Sequence, residues 1–512
     1  MAVNVDLPLH IPTIHDLPIA PQFNFVESPV KSLPGFTPLT FNAFTNVIDG
    51  ELSDSKSKRS TINPSTLETN PEVSVSTKHD VDKAVVAAQI AFETWSQVPW
   101  NERRKAIEAF ADALDAHATE FGHIAVREMG ISLSAAIHDV HWGVEWLRDF
   151  CKLSLPDRIL DVTCERHVIE RYTPLGVCLG IVPWNGPVIL ACGKIAPALL
   201  MGNTLILKPS PFAPYSILKM AELGQQFFPP AVLQALSGDD ELGPWLTAHP
   251  GISKVSFTGS CATGKLVAET CSKHLKRVSL ELGGNDAAIV CADVDPKTVA
   301  SRIAQIAMLR SGQLCMAIKR VYVHESIYEA VLEGITQYIA GLKVGDGFDE
   351  DVTIGPISNR AQFERVQELL ENIRDTGLSV SLPLGTTKTQ RTGFFIDPVV
   401  VKNPPDDARV VTGEPFGPIL PVMKWSGEAD VIRRANDTDF GLGASVWSRD
   451  LVQAERIANR LEAGNIWINT HAELQAYAAF ACHKQSGLGS ELGIDGLKGW
   501  GNVQCLYRRA LL

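Results

Sequence analysis

Residues 176–207 read GVCLGIVPWNGPVILACGKIAPALLMGNTLIL, and how this stretch is divided decides the fold. It is the most apolar segment of the chain, long enough to raise a membrane-spanning helix as a reading. Pro183, Pro187, Lys194, Pro197 and Asn203 interrupt it, with glycines at both turn-like points. The interruptions divide it into a buried strand, a turn, a buried helix and a second strand. That succession is the unit of a parallel sheet.

Outward from it the alternation continues. NTLILK, KVSF, RVSLEL and AAIV read as strands, with helices starting near Ser216 and Ala262. A second alternating block runs from about Ser301 to Asn469, where RVYVHE, ILPVMKW and NIWIN are strands and ESIYEAVLEGITQYIAGLK is a helix. The expectation is an α/β chain with a Rossmann-like dinucleotide layer and a second α/β core. Upstream, three helices are expected: one from an N-cap at Asp80, one over WNERRKAIEAFADALDAHATEFGHIAVREMG ending at Gly130, and one over SAAIHDVHWGVEWLRDFCKL. Residues 1–45, rich in proline and without a sustained period, read as a surface arm.

The composition narrows the function. At 512 residues the chain is long enough for two to four domains, and 45% hydrophobic with 20% charged residues is ordinary globular usage. A net charge of -12 offers no general attraction to phosphate backbones, so no nucleic-acid partner is expected. The ten cysteines form no CxxC pair and do not reach disulfide-scaffold density, which fits a reducing compartment and no metal site. The first residues lack a basic-then-apolar signal pattern and RRALL is not a peroxisomal address, so a cytoplasmic location without membrane attachment is expected.

Five local patterns carry chemistry. In VSFTGSCATGK, a strand is followed by Gly259 and Ser260 and a helix with Gly264 in its first turn, an arrangement that brings backbone N–H groups to a pyrophosphate. Lys208 stands at the end of a buried strand, where ligands collect in open α/β sheets. Glu281 closes another strand before Gly283 and Gly284; partial burial there raises a carboxyl towards the range of a general base. Asn185, between Pro183 and Pro187, presents an amide suited to a developing oxyanion. Cys315, in RSGQLCMAIKR, lies where one block hands over to the other. All but the amide have a bland reading: a tight turn, a strand's solvent end, a surface glutamate, a packed thiol. Together they are what oxidation of an aldehyde through a thioester requires.

With PWN at 183–185, KPS at 208–210, FTGS at 257–260, ELGG at 281–284, GQLC at 312–315, EPFGP at 414–418 and NIWIN at 465–469, the chain resembles the aldehyde dehydrogenase superfamily from about Ile62 to Leu506. The resemblance includes the separation of 34 positions between Glu281 and Cys315. It implies Cys315 as nucleophile, Glu281 as the deacylating base, Asn185 as oxyanion donor and Lys194 as the family's lysine near the site. For the cofactor, NAD with NADP also admitted, it implies Trp184, Lys208, Ser210, Gly259, Ser260, Gly264, Leu282, Glu414 and Phe416.

The same resemblance implies a cofactor-binding domain over 46–150 and 172–283 and a catalytic domain over 284–488. It also implies an oligomerisation arm over 151–171 and 489–512, making a homodimer or homotetramer. Two departures stand out. Pro211 occupies the place of a glutamate that disfavours a 2′-phosphate, and AAFACHKQSG at 478–487 replaces a PFGG pattern through Ala479, Ala481 and Cys482. Gly186, after Asn185, and the helix positions Leu190 and Gly193, where many members carry bulky aromatics, imply a wide apolar tunnel with Leu314, Met316, Leu474 and Phe480. Such a tunnel suits an aromatic or long-chain aldehyde, unless Trp142, Trp146 or the N-terminal arm fills the space. The rival readings are a coenzyme-A-acylating enzyme, against which Glu281 argues, a cysteine hydrolase, and a silent binding or structural protein.

Overall fold

The computed structural model describes residues 36–163, 165–382 and 391–509. Most of the expected N-terminal arm, 1–35, and the last three residues of the expected oligomerisation arm lie outside these. Residues 36–44 dock on the body, with Phe36 and Phe41 edge-on to the buried ring of His117.

The stretch 176–207 folds as a crossover. Strand Val177–Val182, helix Pro187–Leu200 and strand Thr204–Pro209 are almost wholly buried, which is why the segment is apolar throughout rather than alternating. Its strands pair in parallel at the centre of an eight-stranded sheet. The sheet order is Glu51–Ser53, Asn46–Ile48, Leu233–Ala235, Thr204–Pro209, Val177–Val182, Lys254–Thr258, Arg277–Glu281, Gly487–Leu488. The five strands from Leu233–Ala235 to Arg277–Glu281 are parallel; the three others, at the two edges, run antiparallel to their neighbours. From Val177–Val182 the chain first adds strands on one side and then returns to add Lys254–Thr258 on the other. Such a reversal opens a crevice at the strands' C-terminal ends.

A second sheet has six parallel strands, Val399–Lys402, Ile419–Trp425, Ile318–His324, Asp286–Val290, Gly443–Trp447 and Asn465–Ile468. Separate apolar cores cover its two faces. The two sheets are joined in sequence by residues 282–285, between Glu281 and Asp286. A three-stranded antiparallel sheet, Arg158–Val162, Arg166–Pro174 and Gly501–Arg509, stands apart and exposes Ile159, Val162, Val503 and Tyr507. Among the described residues no helix is long and apolar enough to cross a membrane.

Two helix expectations change. The helix expected from Asp80 starts earlier: Thr77 is the N-cap, and Asp80, three residues on, returns a bond to the Thr77 backbone in a capping box. The long helix ending at Gly130 is two helices, Trp100–Ala116 and Ala118–Met129. They part at His117, whose buried ring accepts a bond from the Leu39 N–H and packs against the 36–44 segment. That contact comes from distant sequence and leaves no local break signal.

Candidate active site

The site forms where strand ends of the two sheets face each other. Pro183–Asn185 follow strand Val177–Val182, Gly259 and Ser260 follow the neighbouring Lys254–Thr258, and Glu281 ends the next strand. The two glycines after Glu281 permit close approach. A Cβ at Gly283 would come 2.5 Å from the Glu414 carboxylate, and one at Gly284 would collide with the Cys315 carbonyl.

Cys315 sits on a loop held from several sides. Arg310, Ser311 and Gly312 in succession take left-handed backbone conformations, φ 50°, 59° and 74°. Two of these are non-glycine residues, a costly arrangement that needs anchoring. Ser311 Oγ donates to Gly355 O at 2.8 Å, and Arg310 bonds both Asp139 and the Asn185 carbonyl. Buried Lys319 donates to the carbonyls of Gly312, at 3.1 Å, and Leu314, and lies 5.1 Å above the Phe416 ring. Asn185 donates from Nδ2 to Gln313 O at 3.0 Å. That bond uses one of the two amide N–H groups, and Asn185 and Cys315 both line the cleft. The half-buried Cys315 thiol is pushed up to about 12 by burial and by the carboxylates Glu281 and Glu414, with Lys319 opposing them.

Behind the cysteine lies a buried polar cluster. Lys194 Nζ donates to Glu491 Oε1 at 2.7 Å and to Ser256 Oγ and Thr258 Oγ1 at 2.9 Å. Glu281 is 5% exposed, and the Cys482 thiol donates to its Oε1 at 3.5 Å. Burial and the neighbouring Glu491 hold the Glu281 carboxyl well above its ordinary range, against the pull of Lys194 and Cys482.

A cleft of about 360 Å³ opens in front, lined by Trp184, Asn185, Leu190, Gly259, Ser260, Leu282, Cys315, Glu414 and Phe416 among others. Ser260, on the cleft wall, caps helix Cys261–Ser272 through the Thr263 N–H. Glu414 accepts a bond from the Gly284 N–H at 3.0 Å and is raised to about 7 by burial. Lys208, Ser210 and Gly264 are buried outside the lining of this cleft. Burial and nearby Arg59 lower Lys208 to about 8.

The expected tunnel residues separate. Leu190 lines the cleft, Leu314 and Leu474 are half-buried, and Met316 and Phe480 belong to the core. The space expected at the two glycines is taken. A Cβ at Gly193 would meet the Trp146 ring at 3.1 Å, and one at Gly186 would meet Arg310 Nη1 at 2.7 Å.

The aldehyde dehydrogenase family model matches residues 52–506. The chain belongs to the aldehyde dehydrogenase family. It is 36% identical to an aldehyde dehydrogenase of a Fusarium species over 92% of this chain and 99% of the relative. It is 34% identical to the phenylacetaldehyde dehydrogenase of Pseudomonas fluorescens over 87% and 91%. The NAD+ complex of the Bacillus cereus aldehyde dehydrogenase superposes with a TM-score of 0.89 at 31% identity, covering 92% of this chain and 97% of that one.

Within this aldehyde dehydrogenase the cleft residues fit a dinucleotide: the Gly259–Ser260 turn at a helix start, the buried Glu414 carboxylate and the edge-packed rings of Trp184 and Phe416 at 5.5 Å. Four groups of the site escaped the sequence reading. They are Glu491, Lys319, Cys482 as a partner of Glu281, and the Arg310–Asp139 pair. Lys319 and Arg310 lay within five residues of Cys315, and a charge so near that loop was the one available signal.

Proposed function

We propose that the chain oxidises an aldehyde to a carboxylic acid by covalent catalysis at Cys315, with NAD as the first-choice cofactor. The observation that carries this is the convergence of the Cys315 loop, the Asn185 amide and the buried Glu281 between the two sheets. The thiol gives its proton to water, and the thiolate attacks the carbonyl carbon. The oxyanion formed is held by the free Asn185 N–H and the Cys315 backbone N–H. The nicotinamide, when bound, supplies the hydride acceptor. Collapse of the oxyanion leaves an acyl thioester on Cys315. Glu281 then takes a proton from water, which attacks the thioester and frees the acid and the thiolate.

For the substrate, the apolar Leu190 on the cleft wall supports an aromatic or long-chain aldehyde, in a narrower passage than the glycines imply because Trp146 stands against Gly193 and Arg310 against Gly186. The likeness to a phenylacetaldehyde dehydrogenase points the same way. Measuring kcat/KM by NADH formation for acetaldehyde, hexanal, benzaldehyde and cinnamaldehyde tests both claims. Each filled methylene adds about 0.8 kcal/mol, roughly fourfold. A preference for acetaldehyde refutes the apolar passage, and no NADH from any aldehyde refutes the reaction.

Pro211 stands just beyond Lys208, with Arg59 near that lysine, so two cations and no acidic side chain at 211 leave a 2′-phosphate tolerable despite Asp239 and Asp240 nearby. Pro211→Glu is expected to lower kcat/KM for NADP about tenfold more than for NAD, because it adds like charge against the phosphate. Equal losses place Pro211 away from the ribose. The exposed apolar side chains of the three-stranded arm support its use as a contact between copies in a homodimer or homotetramer. The division into cofactor, catalytic and arm domains and a cytoplasmic location belong to the same reading.

A further inference from the structure

The carboxylate of Glu281 is short of donors. Lys194 spends its three N–H bonds on Ser256, Thr258 and Glu491, so none is left for Glu281. Glu491, on strand Ser490–Glu491, adds a second negative charge to the cluster. Cys315 faces Glu281 from the nucleophile loop. Among the described residues the one side-chain donor to the Glu281 carboxylate is the Cys482 thiol, 3.5 Å from Oε1.

The fold holds Cys482 in that place. It follows strand Phe480–Ala481, which pairs with Ser490–Glu491, and the Ala481 carbonyl is tied by Asn465 Nδ2 at 2.9 Å. Gly487, paired with Glu281 across the sheet edge, leaves the room: a Cβ there would lie 2.9 Å from the Cys482 sulfur. Cys482 also falls in the turn where the sequence departs from the family's PFGG pattern. Burial and the adjacent Glu281 keep the thiol protonated, so it remains a donor.

We propose that Cys482 is a positioning residue for deacylation, its S–H holding the Glu281 carboxylate in place and favouring the charged form that accepts a proton from water. This rests on the reading of Glu281 as the deacylating base. A thiol is a weak donor, but inside a low-dielectric cluster a bond to a charged acceptor is strengthened. A base works only when unprotonated, so its rate falls as pH drops through its pKa. Losing a donor to the charged form raises that pKa and moves the acid limb to higher pH.

The test uses p-nitrophenyl acetate on the full chain without cofactor. The Cys315 thiolate attacks the ester carbonyl and expels p-nitrophenolate as a burst; the acetyl thioester then hydrolyses in the steady phase. In Cys482→Ala the burst is expected to be unchanged, and the acid limb of the steady phase to move up by about one pH unit, tenfold in rate below the limb. Cys482→Ser, which keeps a donor, is expected to bring the limb back to or below its wild-type position. Wild-type profiles in both variants, or a serine profile identical to that of alanine, overturn the proposal. Glu281→Gln separates it from the reading beneath. If that variant loses the steady phase while both Cys482 variants keep the wild-type profile, only the role of Cys482 falls. If it keeps the steady phase, the base assignment falls and the proposal with it.

Discussion

Cys315→Ala is expected to abolish NADH formation from every aldehyde, a loss of about 10⁴-fold or more, because no covalent intermediate can form without the thiol. The rest of the site should survive. The loop around Cys315 is anchored by Arg310, Ser311, Gln313 and Lys319, none of which uses the sulfur. Alanine removes a single sulfur atom from a half-buried residue. Trp184, Leu282, Glu414 and Phe416 line the cleft independently of it. NAD binding, followed by quenching of tryptophan fluorescence, should therefore stay within about twofold of wild type, a few tenths of a kcal/mol. Retained turnover would remove Cys315 from the chemistry. Lost turnover together with lost binding would make it a structural residue instead.

Glu281→Gln is expected to give one equivalent of NADH per active site and then stall, with steady-state kcat lower by about 10²-fold to 10⁴-fold, the usual worth of a general base. The amide keeps the shape of the side chain and cannot take a proton from water. Burial and Glu491 hold the Glu281 carboxyl well above its ordinary range in the folded chain. A raised carboxyl loses its proton only above the ordinary carboxylate range, so wild-type kcat should climb with pH there and the climb should vanish in the variant. Stability should move the other way. A carboxyl raised on folding costs stability once pH exceeds its unfolded value of about 4.3, and the glutamine removes that cost. A melting temperature at pH 8 equal to or above wild type, with a full burst, is the combined signature. A missing burst would assign Glu281 to an earlier step.

Several features were legible because their causes are local. The prolines and glycines of 176–207 mark the strand, turn and helix ends. Asn185, Gly259 and Glu281 sit at strand ends because each is followed by turn chemistry in its own segment. The break at His117 was not legible, since the Phe36 and Phe41 rings packed against it arrive from some eighty positions away. The left-handed Arg310 and Ser311 were equally hidden: neither residue type favours that conformation, and the anchors Asp139, Asn185 and Gly355 are remote in sequence.

By itself, then, the sequence determined that two sheets with parallel centres form and that a thiol, an amide and a carboxylate stand at their turns, because period and turn residues act within a few positions. Only the tertiary structure decided which groups surround each of them. Lys194 is bound to Glu491, Glu281 is left to Cys482, Lys319 supports the loop of Cys315, and Trp146 and Arg310 occupy the space beside Gly193 and Gly186. These contacts join side chains up to about three hundred positions apart, and packing at near-crystalline density selects them only once the sheets are assembled.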